Sequence, residues 1–200
     1  PAFFEIDPRL TKDSVIVLMH DATLNRTTNG TGLVKDYTWE ELKHFRLKDA
    51  HGNLTGFRIP SLAEAIDWAR GKTILNLDKK DVPLQMTADI IRAKNADAFV
   101  MVTVHNAQQA LFYYKDHPGR MMSAFVKTDS AFRSYEKENI PWKNMIAYIG
   151  PEFTEENLAV LKQLHQRSVM CMISAAPIYD KLPLATSRAE NYRMIFSKGA

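Results

Sequence analysis

Residues 2–32 read AFFEIDPRLTKDSVIVLMHDATLNRTTNGTG, and the rest of the chain is organised around them. Two short apolar runs each end in groups able to bind a cation or move a proton. In the first, Phe3, Glu5 and Asp7 alternate with Phe4 and Ile6, so a period of two puts both carboxylates on one face of a strand, roughly 6–7 Å apart along it. In the second, Ile16, Leu18 and His20 share a face, and His20 stands where the apolar run stops and Asp21 begins. A lone Glu-Ile-Asp is usually solvated, and a lone His-Asp more often caps a loop than does chemistry. Two carboxylates and a histidine at adjacent strand ends point instead to a metal-assisted site.

Beyond residue 32 the chain settles into a rhythm. A polar segment, residues 22–60, carries Asn29-Gly30 and Gly52-Asn53 turn signals and a short helix over Thr38–Phe45, and reads as a small insertion in a repeating pattern. Ser61 with Glu64 forms a capping box that opens a helix ended by Gly71. Strands at Thr73–Lys79, Ala98–Val104, Arg120–Val126, Met145–Ile149 and Ser168–Ser174 then alternate with helices at Leu84–Lys94, Ala107–Lys115, Asp129–Glu138, Glu155–Gln166 and Ser187–Lys198. Such alternation implies parallel βαβ units, and seven strands can be counted with the opening pair. An open doubly wound sheet and a TIM barrel are both compatible with it. No G-x-G-x-x-G follows a strand, which weakens the first. The barrel is favoured because Glu5, Asp7, His20, Asp78, Lys80, His105, Lys127 and Glu152 all fall at or just past C-terminal strand ends, where barrel loops build active sites. Exposed loops are polar anyway, but that does not explain why Asn76, Asp78 and Lys80 share one parity opposite Leu75 and Leu77.

Composition narrows the class. Two hundred residues with 46% hydrophobic and 24% charged side chains describe one globular domain over residues 1–200 with a sizeable core. A net charge of +3 with scattered Lys and Arg argues against nucleic acid. The single cysteine, Cys171, excludes an internal disulfide and a cysteine zinc cluster, and reads as a small core residue. No apolar run is long enough for stable membrane insertion.

The strings Glu5-Ile6-Asp7, Thr11-Lys12-Asp13, His20-Asp21 and Arg26-Thr27-Thr28-Asn29-Gly30-Thr31-Gly32 occur in one order at fixed spacings. Together they closely resemble the signature of the glycerophosphodiester phosphodiesterase family, a group of TIM (β/α)8 barrels of the PLC-like phosphodiesterase type. The family's E-x-K motif on a later strand corresponds to Asp78-Lys79-Lys80, with Asp78 in the Glu position, and Arg58-Ile59-Pro60-Ser61-Leu62 resembles its approach to the next helix. The resemblance is firm to about residue 80 and thereafter rests on the strand–helix rhythm. The family also opens with a His-Arg strand bearing a second catalytic imidazole and closes with an eighth strand. This chain, starting at Pro1 and stopping at Ala200, is expected to lack both its first and last strands. It is then either a fragment of a longer protein or a homo-oligomer whose second copy closes the gap.

The resemblance implies metal-dependent hydrolysis of small glycerophosphodiesters to glycerol 3-phosphate and an alcohol. Glu5, Asp7 and Asp78 would hold a divalent cation, Mg²⁺ or Ca²⁺, both of which take oxygen ligands. His20 would act as general acid or base. Lys80 would contact the phosphate, its competing role being a salt bridge to Asp78 or Glu5. Arg26 either contacts phosphate or organises the loop after His20. Two other readings stand beside this one: a phospholipase or sphingomyelinase D-like enzyme of the same superfamily, which should show an exposed apolar rim, and a barrel fragment that binds cation or phosphate without turnover. Compartment is left open, with a periplasmic or secreted placement slightly favoured over a cytoplasmic one.

Overall fold

A computed structural model describes residues 3–199, which divide after Val102 into two compact units. In the first, β1 (Phe3–Ile6) is followed by β2 (Pro8–Leu10) and β3 (Ile16–Leu18), α1 (Trp39–Leu42), α2 (Leu62–Ala69), β4 (Ile74–Leu77), α3 (Leu84–Ala93) and the start of β5 (Val100–Val104). β1 pairs with β4 and β4 with β5, all parallel, with Glu5 level with Asn76 and Ile6 with Leu77. Leu75, Asn76 and Leu77 are buried, as expected for a central parallel strand covered on both faces.

The second apolar run departs from expectation. Ile16–Leu18 is not a parallel neighbour of the opening strand; it pairs antiparallel with Pro8–Leu10 in a separate two-stranded sheet. A parallel return needs a crossover of about a dozen residues or more. Only Thr11 to Val15 link these strands, which suffices for a hairpin and nothing longer. The hairpin turn explains the Thr11-Lys12-Asp13 motif: the Thr11 hydroxyl donates to Asp13 Oδ1 (2.6 Å) and accepts from the Val15 N–H (2.9 Å), while Asp13 accepts from the Trp39 N–H (2.9 Å). Those bonds hold the Asp13 carboxyl below its usual range, the Thr11 hydroxyl contributing most.

The 22–60 excursion has a core of its own. Val17, Met19, Leu24, Val34, Leu42 and Ile59 are buried together, with Tyr37, Phe45 and Leu47 packed against them. Its Asn-Gly turn is built for this core: Thr28 Oγ1 donates to the Leu24 carbonyl (2.7 Å) and accepts from the Gly30 N–H (2.9 Å), and Asn29 Oδ1 accepts from the Arg46 N–H (2.7 Å). A Cβ on Gly30 would stand 2.9 Å from Phe45 Cδ1 and 3.0 Å from Leu24 Cδ1. Gly30→Ala is therefore expected to destabilise the protein by about 1–3 kcal/mol, the usual cost of overpacking, measured by urea unfolding. The expected capping box of Ser61 with Glu64 is present, and Thr38 with Glu41 forms a second one.

The second unit continues with α4 (Ala107–Asp116), β6 (Met122–Phe125), α5 (Asp129–Lys137), β7 (Met145–Gly150), α6 (Glu155–His165), β8 (Met170–Ile173), α7 (Ala176–Tyr179) and α8 (Ala185–Ser197). β6, β7 and β8 are parallel neighbours, with Phe125 level with Tyr148 and Tyr148 with Met172. The short α7 is too brief to leave a periodic signature, and its Tyr179 packs with Ile195 of α8 in a satellite cluster. Cys171 is half-buried on β8, and burial pushes its thiol up to about 11. No helix among the described residues is long and apolar enough to cross a membrane.

Candidate active site

At the C-terminal end of β1 two backbone bonds gather the polar residues. The Asp78 N–H donates to the Ile6 carbonyl (2.9 Å), and the Met19 N–H donates to the Asp7 carbonyl (2.9 Å). The first holds the end of β4 against β1; the second ties in the stretch that carries His20. Arg9 completes the anchorage, donating from Nε to the Met19 carbonyl (3.0 Å), from Nη2 to the His20 carbonyl (2.7 Å) and from Nη1 to Asp81 Oδ2 (3.1 Å). His20 thus hangs from a loop fixed by strand ends and a guanidinium, although no sheet strand ends at it.

Lys80 lies between two carboxylates. Its Nζ is 2.6 Å from Asp78 Oδ2 and 3.0 Å from Asp7 Oδ1, and all three side chains are largely buried. Burial alone would lower the Lys80 pKa, but hydrogen bonds to Asp78 and Asp7, with their charges, outweigh it and hold the ammonium above the ordinary lysine value. The salt bridge weighed for Lys80 is thus present with Asp78 and Asp7. Glu5, by contrast, accepts no hydrogen bond among the described residues. Its pKa is raised, first by desolvation in the cleft and then by the charges of Asp78 and Asp7, against opposition from Lys80 and His20. Glu5, Asp7 and His20 line one cleft of about 240 Å³ with Ile6, Leu18, Met19, Thr27 and Leu47.

Among the described residues no three His, Cys, Asp or Glu side chains are gathered into a group able to hold a metal ion. The chemistry of the donor set nonetheless fits a hard cation: three carboxylates are set against one ammonium, and the charges of Asp78 and Asp7 add to desolvation in disfavouring ionised Glu5. Glu5→Gln gives a measurable consequence. Below the ordinary glutamate value of 4.5 the carboxyl is protonated in both states and the substitution changes little; above the raised folded value the ionised group costs stability. The variant is expected to melt roughly 1–2 °C higher than the parent at pH 7 without divalent cations, and to match it at pH 4. Melting curves at the two pH values check this.

His20 is 68% exposed, and its Nδ1 meets Asp21 Oδ1 at 2.9 Å. Asp21 is gripped from its other side by Arg26, whose Nε is 2.6 Å from Oδ2 and Nη2 2.8 Å from Oδ1. The Arg26 hydrogen bonds, followed by that of His20, hold the Asp21 carboxyl well below the usual carboxylate range. A permanently charged Asp21 favours the tautomer with the proton on Nδ1 and leaves Nε2 as the acceptor. Of the two roles weighed for Arg26, the geometry displays the organising one: its fork is engaged with Asp21, and it does not line the cleft. Sequence reasoning missed Asp21 and Arg9 as parts of this site. Asp21 was detectable, adjoining His20 and five residues before Arg26; nothing in the spacing of Arg9 marked it.

His105, Lys127 and Glu152 lie at the strand ends of the second unit. The His105 and Phe125 rings lie 4.5 Å apart, and Lys127 sits over Phe125 and Tyr148. Glu152 offers its backbone carbonyl to Asn157 Nδ2 (2.7 Å), which fastens the turn after β7.

Comparison with known proteins shows the family and the fold. The profile of the glycerophosphoryl diester phosphodiesterase family matches residues 2–193. A crystal structure of a glycerophosphoryl diester phosphodiesterase from Parabacteroides distasonis is 60% identical with a TM-score of 0.94, covering 100% of this chain and 70% of that one. A glycerophosphodiester phosphodiesterase from Bacillus altitudinis is 34% identical over 119 residues, which are 54% of this chain and 49% of that protein. The chain therefore spans about half the length of this curated relative. A phosphodiesterase from Oleispira antarctica, solved with its product sn-glycerol 3-phosphate, is 19% identical with a TM-score of 0.67, over 98% of this chain and 77% of that one. The fold shared with these structures is the TIM barrel.

Proposed function

Because the chain belongs to the glycerophosphoryl diester phosphodiesterase family, we propose that it contributes the active site for hydrolysis of glycerophosphodiesters to sn-glycerol 3-phosphate and an alcohol, assisted by Mg²⁺ or Ca²⁺. The observation that carries this reading is the meeting, in the segment bearing the family's motifs, of an oriented imidazole with three carboxylates and a lysine. The Oleispira antarctica relative, solved with sn-glycerol 3-phosphate, supports the product.

Glu5, Asp7 and Asp78 would hold the cation, which when bound neutralises charge developing on a phosphodiester oxygen. Lys80, kept protonated by Asp78 and Asp7, adds a positive charge beside that phosphate. His20, held through Nδ1 by Asp21, would act as the imidazolium: its Nε2–H donates to the departing alkoxide oxygen as a water oxygen bonds to phosphorus and the ester P–O bond breaks, so that the alcohol leaves and the water's proton passes to solvent. Arg26 keeps Asp21 ionised and in place.

A second reading, an intact lipid as substrate, is favoured by one observation. Leu54 and Phe57 are 56% and 75% exposed on the excursion whose Leu47 lines the cleft, and they supply the apolar rim such an enzyme needs. One assay tests both readings: release of choline from glycerophosphocholine and from lysophosphatidylcholine, with and without Mg²⁺ or Ca²⁺, by this chain and by a version carrying the family's preceding strand. Metal-dependent turnover of the water-soluble diester supports the first reading, and preference for the lipid supports the second. Silence of both proteins on every diester overturns the enzymatic reading.

A further inference from the structure

Residues 47–57 of the excursion form a hairpin that hydrolysis of a water-soluble diester does not require. The Leu47 N–H donates to the Phe57 carbonyl, the Thr55 N–H to the Leu47 carbonyl and the Asp49 N–H to the Asn53 carbonyl, each at 2.9 Å. Asp49 Oδ1 fixes the tip by accepting from the His51 and Asn53 N–H groups (both 2.9 Å). The Lys48 N–H donates to the Thr27 carbonyl (2.8 Å), which fastens one arm to the motif loop. On this fixed frame Leu54 is 56% and Phe57 75% exposed, and Phe57 is the most exposed large apolar side chain among the described residues.

The charge beside these two side chains is positive. Arg46 and Arg58, at the two feet of the hairpin, are exposed and form no ion pair among the described residues, and Lys48 lies on the arm between them. The acids of the segment are already engaged: Glu40 with Lys43 Nζ at 2.5 Å, Glu41 in the capping box of Thr38, and Asp49 in the hairpin tip. An arm of five residues is only about 17 Å long, so the apolar pair and the cations fall within one footprint. An acidic protein surface would answer the arginines and leave Leu54 and Phe57 in water; a neutral bilayer would answer the apolar pair alone. An anionic lipid surface answers both, because apolar groups enter the acyl boundary while basic side chains stay with the head-group phosphates. The chain as a whole, at +3, is not repelled from such a surface.

We infer that the 47–57 hairpin docks the protein on an anionic lipid surface, with Leu54 and Phe57 entering the head-group boundary and Arg46 and Arg58 meeting lipid phosphates. Leu47 of the same hairpin lines the cleft, so docking sets the cleft at the lipid boundary. The inference goes beyond the choice of substrate: it says where the protein sits, and a docked enzyme can take a water-soluble diester or a lipid.

The test is co-sedimentation of the full chain with vesicles of phosphatidylcholine alone and of equal parts phosphatidylcholine and phosphatidylglycerol, in EDTA so that binding is read without metal-dependent turnover. Partitioning onto the mixed vesicles should exceed that onto phosphatidylcholine by at least about tenfold and weaken as salt is added. Arg46→Gln combined with Arg58→Gln should lower it about tenfold or more, and so should Leu54→Ser combined with Phe57→Ser. Lys181→Gln combined with Arg193→Gln removes the same charge from exposed positions of the second unit and should stay within about threefold of the parent. Circular dichroism confirms that each variant is folded. Failure of the parent to bind mixed vesicles at millimolar lipid overturns the proposal, and binding to polyglutamate in its place would assign the hairpin to an acidic protein. Equal losses in the second-unit variant, or undiminished binding without Leu54 and Phe57, overturn it as well by reducing the association to net charge. Hydrolysis of glycerophosphocholine needs no vesicle, so either outcome leaves that activity to its own assay.

Discussion

With His20 replaced by alanine, kcat for glycerophosphodiester hydrolysis is expected to fall by about 10²–10⁴-fold, the range spanned by general acid–base groups. KM should change little, because an imidazole that acts on the leaving oxygen contributes mainly in the transition state. The fold should not suffer: the side chain is 68% exposed and, among the described residues, its hydrogen bond runs to Asp21 alone, so stability should stay within about 0.5 kcal/mol. Asp21→Asn is the companion experiment. An amide cannot impose the Nδ1–H tautomer, and loss of such an orienting partner typically costs about 10–100-fold. The depressed Asp21 value adds a pH signature. Its contribution to stability is present above the ordinary aspartate value of 3.8 and is lost as pH falls through the lower folded value, so acid unfolding of Asp21→Asn should lack that component. Steady-state kinetics on a diester with a poor leaving group reads the first effect, since proton donation matters most there. A His20→Ala enzyme within threefold of the parent would remove His20 from the mechanism.

Lys80→Ala is expected to combine the largest loss of stability with loss of activity. Removing the ammonium leaves Asp7 and Asp78, which both reach it, facing each other and Glu5 without a cation. Breaking such a pair when sealed from water costs about 3–5 kcal/mol; with the residual solvent contact here, roughly 2–3 kcal/mol is expected, or a melting temperature about 5–10 °C lower at pH 7. The raised Lys80 value fixes the direction with pH. Its stabilisation is complete below the unfolded lysine value of 10.5 and disappears as pH rises through the higher folded value, so the parent should lose stability in alkali that the variant never had. In acid, where carboxylates are neutral, the deficit should shrink. Millimolar Mg²⁺ or Ca²⁺ should raise the variant's melting temperature more than the parent's, because the cation then meets three carboxylates without a competing ammonium. Equal metal responses in the two proteins would show that Lys80 and the cation do not share this charge.

Much of this was legible in the chain because it rests on local rules. Strand and helix alternation, the Ser61–Glu64 capping box and the pairing of Lys80 with carboxylates all follow from spacing over a few residues. What escaped depends on which strand meets which. Period-two reading gives Ile16–Leu18 the same face pattern whether it pairs in a parallel sheet or folds back on Pro8–Leu10, and only the five-residue link separates the cases. The Arg-Thr-Thr-Asn-Gly string looks chemical, yet Thr28, Asn29 and Gly30 are spent on turn geometry and packing under Phe45. Asp21 was visible as a neighbour of His20, but its dependence on Arg26 needed coordinates.

The small core formed by Val17, Met19, Leu24, Val34, Leu42 and Ile59 gives the molecule a division of labour. Glu5, Asp7 and Asp78 sit on or beside the strands of the sheet, while His20 follows directly on Met19, a member of that core. The charged platform and the imidazole proposed to carry the proton therefore have different mounts, joined at the Asp7–Met19 bond and the Arg9 clamp. Exchanging the whole excursion for a longer or shorter one would move His20 together with the wall that frames the cleft. In this scaffold the imidazole and the shape of the space around it are inherited as one piece.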